Sequence, residues 1–211
     1  MTESTSREYY LLALKVFLAS VPFPVLGLIL VAVFKFGQMR SFLASIVAPV
    51  EGSVALVIIL GVISGAAISL LLIALVVVAK VELPKNEGTE LLEKLVVRPA
   101  GIATMAFCGG VFEEFFFRGV LIGLFIGHSL PVDWLIIIAS SALFWAVHIP
   151  QYKGAPVVLA GVAVIGITFA LMFYLTGTIV PSMIAHALYN TCAGIFLSRK
   201  LKRNLEEDLP L

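Results

Sequence analysis

The sequence predicts an all-α fold: a polytopic membrane helix bundle of about six transmembrane helices with a short interfacial helix. Hydrophobic residues make up 61% of the chain and charged residues only 13%, whereas about a quarter of an ordinary soluble domain is charged. The mean hydropathy is +1.10. Long apolar segments without strict alternation argue against a transmembrane barrel. A net charge of +1 without a basic stripe gives no support for nucleic-acid binding.

A membrane span needs about 20 mostly apolar residues, and six segments meet this requirement. In the first, Tyr9–Phe36, Pro22 and Pro24 should either kink the helix or separate an interfacial helix from a shorter span. We expect Pro150 to end the fourth span. The five later spans are predicted as Ser53–Ala79, Ile102–Ile126, Val132–Ile149, Pro156–Leu175 and Ile179–Leu197.

The polar connection Lys80–Ala100 separates the second and third spans. Its charged residues recur at helical spacing, which predicts a short amphipathic helix at the membrane interface. We therefore divide the chain into N-terminal spans with the interfacial linker (1–100), a helix bundle that carries the candidate site (101–198) and a charged tail (199–211). The charged residues of the predicted interfacial helix are Glu87, Glu90, Glu93 and Lys94.

The basic residues near the span ends predict the orientation of the chain. Of the basic residues near span ends, Lys35 and Arg40 lie on one side of the membrane, and the other ten lie on the opposite side. Because cytoplasmic loops carry the excess of Lys and Arg, we expect a multi-pass cell-membrane protein with both termini and the opening of its site toward the cytoplasm. The predicted cytoplasmic residues are Arg7, Lys80, Lys85, Lys94, Arg98, Lys153, Arg199, Lys200, Lys202 and Arg203.

Three charged residues interrupt the third span: Glu113, Glu114 and Arg118. Each such group costs about 2.5–3.5 kcal/mol at the centre of a membrane helix, so they indicate function. Glu114 and Arg118 are four residues apart and can pair on one helix face. Glu113 points about 100° away from Glu114. We therefore predict Glu113 as the reactive carboxylate and Glu114–Arg118 as a supporting ion pair.

Two further pairs of residues lie four apart on later spans: Phe144 with His148, and His186 with Asn190. Each pair alone is weak, because polar side chains also hold membrane helices together. Three polar clusters on three spans nevertheless predict a catalytic or ligand-binding centre. A carboxylate, two imidazoles and an amide are the groups that activate water and stabilise an oxyanion.

Taken in order, these clusters resemble the motifs of the type II CAAX prenyl endopeptidase family, the CPBP or Abi-type intramembrane proteases. The motifs read Glu113-Glu114-x-x-x-Arg118, Phe144-x-x-x-His148 and His186-x-x-x-Asn190. The resemblance covers about Phe107–Asn190. It implies an endopeptidase that hydrolyses a peptide bond near the membrane. Its partners would be membrane lipid and a peptide or lipidated protein substrate, such as a prenylated CaaX protein that loses its last three residues.

The resemblance also implies a role for each residue of the clusters. Glu113 would be the general base, His148 would help to hold the attacking water, and Phe144 would support the site. His186 and Asn190 would stabilise the tetrahedral oxyanion. The pair Glu114 and Arg118 would organise the site.

No cofactor follows with certainty from the sequence. The family is often described as metalloproteases, and Glu113, His148 and His186 could hold a divalent metal such as Zn²⁺ with one open position. The chain has no His-Glu-x-x-His motif. A metal-free glutamate mechanism would use the same side chains, so both readings stay open.

Two functions of other classes compete with the protease. One is a non-catalytic bacteriocin-immunity or membrane scaffold protein on the same fold, against which the intact motifs argue. The other is a small proton-coupled transporter with Glu113 as its proton relay. No internal repeat is apparent in the sequence, and such repeats are typical of secondary transporters. We therefore favour an intramembrane endopeptidase.

Overall fold

The computed structural model describes residues 3–48 and 53–207, in which every regular element is a helix. The third long helix begins as α6 and continues without a break into two π-helical segments, Cys108–Glu113 and Phe115–Val120. The helices are α1 (Glu3–Ser20), α2 (Pro22–Phe34), α3 (Met39–Ser45), α4 (Val54–Val78), α5 (Glu87–Val96), α6 (Pro99–Phe107), α7 (Leu130–Tyr152), α8 (Pro156–Thr176) and α9 (Val180–Glu207).

Six helical stretches of the described chain are long and apolar enough to cross a membrane, as the sequence predicted. The chain is therefore a multi-pass helical membrane protein. The stretches are Arg7–Phe34, Val54–Val78, Pro99–Val120, Leu130–Tyr152, Pro156–Thr176 and Val180–Glu207.

The first stretch contains the break that its prolines predicted. Helix α1 ends at Ser20, Val21 lies in a turn, and α2 begins at Pro22. Proline is well tolerated there because the first turn of a helix has no use for its missing N–H. Arg7–Ser20 of α1 and the whole of α2 belong to one apolar stretch of 28 residues, which is long enough to cross a membrane.

The predicted boundaries of the fourth span were wrong at its end. Helix α7 continues past Ile149 and includes Pro150 in its last turn. A proline removes one backbone hydrogen bond and crowds the preceding turn, and here it does so two residues before the helix ends at Tyr152.

The third and sixth spans also differ from their predicted limits. The third begins at Pro99, in the first turn of α6, and its regular helix ends at Val120. Residues 121–125 form turns, so the helix stops before the predicted Ile126. Helix α9 runs past Leu197 to Glu207, so most of the predicted charged tail is helical.

The predicted interfacial helix is present as α5. Asn86 caps it: its side-chain oxygen accepts from the Thr89 N–H and its own N–H donates to the Thr89 hydroxyl, each at 3.1 Å. Glu87 and Glu90 occupy the first turn and Lys94 the last, which complements the helix dipole. This helix is tied to α1, because the Tyr9 hydroxyl donates to the Leu95 carbonyl at 2.8 Å.

Glycines bring α4 and α9 into close contact. A Cβ at Gly61 would lie 2.8 Å from the carbonyl oxygen of Pro181, and one at Gly65 would lie 2.9 Å from that of Ala185. Small residues allow such backbone approach between membrane helices. The packing places the next residue of α9, His186, in the interior of the bundle.

Candidate active site

The two predicted glutamates lie at the junction of the two π-helical segments: Glu113 ends the first, and Glu114 separates it from the second. Such segments are rare and are frequent at functional sites. The first segment contains Gly110, at which a Cβ would lie 2.8 Å from the Cβ of Ala187 and 2.9 Å from the carbonyl oxygen of Met183. The glycine therefore lets α9 approach the widened helix closely.

Glu114 is the centre of a buried ionic network. Its Oε1 accepts from Arg118 Nη1 at 3.0 Å, and His186 Nδ1 lies 2.7 Å from the same oxygen. Arg118 Nη2 also donates to the carbonyl of Gly166 at 3.0 Å. The predicted ion pair is thus present, and both of its members are fully buried. The sequence does not predict the contact between His186 and Glu114, because its four-residue spacing pairs His186 with Asn190 alone.

Three aromatic rings surround the Arg118 guanidinium. Its Cζ lies 4.4 Å from the ring centroid of Phe144, 5.7 Å from that of Phe169 and 5.8 Å from that of Phe117. A cation over an aromatic face is stabilised by the ring quadrupole, most strongly where water is excluded. The cage explains how an arginine can be fully buried although its Nε makes no hydrogen bond within the described chain. It also gives the supporting Phe144 a physical role.

Glu113 faces His148 at the edge of this network. Glu113 Oε2 lies 4.0 Å from His148 Nε2, and the two side chains are 17% and 20% exposed. His148 Nδ1 lies 2.7 Å from the carbonyl oxygen of Phe144. Because that carbonyl only accepts, Nδ1 carries the hydrogen, and a neutral ring directs the lone pair of Nε2 toward Glu113. The two predicted side chains are therefore close in space, although the sequence had placed them at different membrane depths.

Asn190 and His186 meet the π-helical segment at Gly109. Asn190 Nδ2 donates to the carbonyl of Met105 at 3.1 Å, which fixes the amide and leaves its second N–H available. A Cβ at Gly109 would lie 2.8 Å from His186 Nε2 and would collide with Asn190 Nδ2. Only glycine fits this position, which lies four residues before Glu113. With the Glu113–His148 contact, these contacts join side chains of all three predicted spans in one continuous cluster.

Two tyrosines that the sequence analysis did not single out border this cluster. The ring of Tyr152 lies parallel to that of His148, with an interplanar angle of 2° and 6.4 Å between centroids. Tyr189 precedes Asn190, and both tyrosines line a groove together with that asparagine. The available signal was spacing, since Tyr152 follows His148 by one helical turn on the same face.

The groove runs along α9 between α4, α8 and the connection that precedes α5. It encloses about 940 Å³ when its open side is included. Most of its lining is aliphatic, and its other members include Asn190, Tyr152, Tyr189 and Lys200, which lies ten residues after Asn190 on α9. An apolar chain with few polar groups is the ligand that such a lining suits.

The side chains that the resemblance suggested for zinc do not form a metal site. Glu113 faces His148, whereas His186 Nδ1 bonds Glu114. Among residues 3–48 and 53–207 no group of three His, Cys, Asp or Glu side chains is arranged to hold a metal ion. The present residues therefore do not fit a resident zinc ion, and no step is derived through one.

Comparison with known proteins agrees with the three clusters. Residues 96–192 match the family model described as Rce1-like, type II CAAX prenyl endopeptidase Rce1-like. No curated protein and no solved structure gives a match. The matched region extends from the last residue of α5 to Cys192 and includes every residue of the cluster. Over residues 96–192, a little under half of its length, the chain is similar to the Rce1-like type II CAAX prenyl endopeptidases, a family of membrane proteases.

Proposed function

We propose that the protein is an intramembrane endopeptidase that hydrolyses a peptide bond near the membrane surface, in the C-terminal processing of prenylated CaaX-type proteins. The observation that carries the proposal is the facing pair Glu113 and His148. Their nearest atoms are 4.0 Å apart, which is too long for a direct hydrogen bond. The similarity of residues 96–192 to a protease family supports the reaction class, and the groove beside Asn190 supports an apolar substrate.

In this mechanism Glu113 and His148 hold the attacking water. A carboxylate oxygen and the lone pair of Nε2 are both acceptors. A water molecule between them donates one proton to each and directs its own lone pair at the scissile carbonyl. Glu113 removes a proton as the water attacks, and then delivers it to the leaving amine.

The oxyanion is stabilised from α9. Asn190 offers the N–H that is not bound to Met105, and His186 offers Nε2–H in its doubly protonated form. Fixed donors of this kind stabilise charge that develops in the transition state. Glu114 and Arg118 position His186. With a neutral His148, two carboxylates then balance Arg118 and protonated His186, so the buried cluster is neutral overall.

We further propose that the site opens toward the cytoplasm. The groove ends at Lys200, close to Arg199, Lys202 and Arg203 on α9. Clustered basic residues at the end of a span favour the cytoplasmic side. A lipidated substrate would then reach the groove laterally from the inner leaflet.

The test is peptide release by the detergent-purified protein. A panel of farnesylated and unmodified peptides is incubated with and without a chelator, and products are identified by mass spectrometry. The parent should release a C-terminal peptide, and Glu113→Gln should lower kcat by about 10²–10⁴-fold because the general base is lost. The exposed Glu206→Gln is the matched control and should retain the parental rate.

Three outcomes would contradict the proposal or its mechanism. If Glu113→Gln cleaved as fast as the parent, Glu113 would not be the base. If the folded parent released no peptide from any probe, a non-catalytic immunity or scaffold function on this fold would be favoured instead. Loss of cleavage on chelation, restored by added metal, would contradict the metal-free mechanism.

A further inference from the structure

The groove beside Asn190 contains a charge that the proposed mechanism does not use. Among the residues that the structure describes, Lys200 is the only charged one in its lining. Its side chain is half-buried, whereas its neighbours Arg199 and Lys202 are exposed. Within the described residues Lys200 makes no ion pair. A partly desolvated ammonium group at the end of an apolar groove is suited to binding a single anionic group.

The spacing between the two ends matches a short extended peptide. Lys200 follows Asn190 by ten residues on the same helix, a rise of about 15 Å. The flexible stem of the lysine shortens this gap. An extended chain advances about 3.3 Å per residue, so three residues beyond a carbonyl at Asn190 would bring a terminal carboxylate near the ammonium group.

The surroundings of Lys200 favour one carboxylate over a larger anion. A second, polar cavity adjoins the groove and shares Leu83, Leu197 and Lys200 with it. Glu82, Glu90 and Glu93 line that cavity together with Lys85, so carboxylates outnumber the cations there even when Lys200 is included. Their negative charge repels a bulky polyanionic headgroup outside the groove, while a carboxylate that arrives from the Asn190 side meets Lys200 first.

We propose that Lys200 binds the C-terminal carboxylate of the substrate, and that the groove accommodates the apolar side chains of the peptide to be released. This inference rests on the proposed function and names a specificity-determining residue for it. It gives a role to the charged residue of a lining that is otherwise mostly apolar. It also predicts cleavage at a fixed distance from a free C-terminus, since the carboxylate measures the position of the scissile bond.

Binding to the Glu113→Gln variant tests the inference separately from turnover. The probes are two fluorescein-labelled peptides that end in farnesyl-cysteine and three apolar residues, one with a free C-terminal acid and one with a C-terminal amide. Fluorescence anisotropy in detergent should show the acid bound about tenfold more tightly than the amide, as expected for a charge-assisted contact. Adding Lys200→Met should remove this preference by weakening only the acid, whereas the exposed Lys202→Met should preserve it.

The outcomes separate the two proposals. Equal affinity for acid and amide, or a preference that survives Lys200→Met, would overturn the role of Lys200 even if the parent cleaves. A preference for the acid that depends on Lys200, in a protein that cleaves neither peptide, would support the carboxylate site and contradict the protease. If oleate displaced the acid and amide peptides equally from Glu113→Gln and from the double variant with Lys200→Met, the groove would be a general lipid site and the inference would fail.

Discussion

The site contains two carboxylate–imidazole pairs built from adjacent glutamates, and the pairs differ in burial. Glu114 is fully buried and its Oε1 contacts both Arg118 and His186. Glu113 is 17% exposed and its Oε2, 4.0 Å from His148, makes no hydrogen bond within the described chain. One carboxylate is thus held by fixed charges, and the other faces an acceptor at the edge of the interior.

The difference shows how one helix can supply both a structural and a reactive acid. Successive side chains of a helix point in different directions, so Glu114 reaches α9 while Glu113 reaches α7. A buried charge needs a partner and hydrogen bonds to offset its desolvation, which Arg118 and His186 provide. A general base instead needs a free oxygen beside the water that it deprotonates, which Glu113 retains.

The largest expected effect is on stability, from removing the buried charge. Glu114→Gln leaves Arg118 as an uncompensated buried cation, which should lower the free energy of unfolding by about 3–5 kcal/mol. The Glu113 side chain is partly exposed, and its Oε2 makes no hydrogen bond within the described chain. Glu113→Gln should therefore change the free energy of unfolding by less than about 0.5 kcal/mol. Thermal unfolding in detergent, followed by the reactivity of the buried Cys108 thiol, measures the difference.

If the two glutamates differ in this way, the variant that loses less stability, Glu113→Gln, should lose more activity than Glu114→Gln. Glu113→Gln should be folded and inactive, and the folded fraction of Glu114→Gln should retain more activity than Glu113→Gln. Equal losses of stability for the two variants would show that the glutamates share one structural role.

The histidines should show the same contrast at a smaller scale. His186→Gln removes a buried hydrogen bond to a charged carboxylate, which should lower the free energy of unfolding by about 1.5–3 kcal/mol. His148→Gln alters a side chain that is 20% exposed, so its effect on stability should be below about 0.5 kcal/mol. Both variants should cleave more slowly. A stability loss for His148→Gln as large as that for His186→Gln would contradict the assignment.

Sequence reasoning predicted the membrane bundle, the Glu114–Arg118 pair and the interfacial helix, because each depends on local periodicity. Four-residue spacing is enough to place Glu114 beside Arg118. It was not enough to show that His186 bonds Glu114, since that contact depends on how closely α9 approaches α6. Gly109 and Gly110 permit this close approach, and the residues around them carry no recognisable period for the π-helical segment in which they lie.

Pro150 shows the complementary failure. A proline inside an apolar segment usually indicates a helix end, yet α7 includes it in its last turn. The cost of one missing hydrogen bond is small two residues before the end of a helix. The predicted end of the last helix differed for a similar reason. The charged residues after Leu197 indicate the end of the membrane span, but α9 itself continues to Glu207.

Phe144 allows the finest test, because its ring contacts both halves of the site. The ring centroid lies 4.7 Å from that of His148, 6.0 Å from that of His186 and 4.4 Å from Arg118 Cζ. Phe169 contacts His186 and Arg118 but has no ring contact with His148 within the described residues. Leucine at either position keeps an apolar side chain of similar size, so each variant should lose only about 1–1.5 kcal/mol of stability.

The two phenylalanine variants should therefore differ in rate. Phe144→Leu frees the His148 ring on one side, and a small displacement of a catalytic group lowers the rate by up to about 100-fold. Phe169→Leu leaves that ring in place and should lower kcat less than Phe144→Leu, at matched stability in the same detergent. If kcat fell equally in both variants, the orientation of His148 would not depend on Phe144. Other contacts would then position the Glu113–His148 pair, and the two halves of the site would be coupled only through the buried network around Glu114.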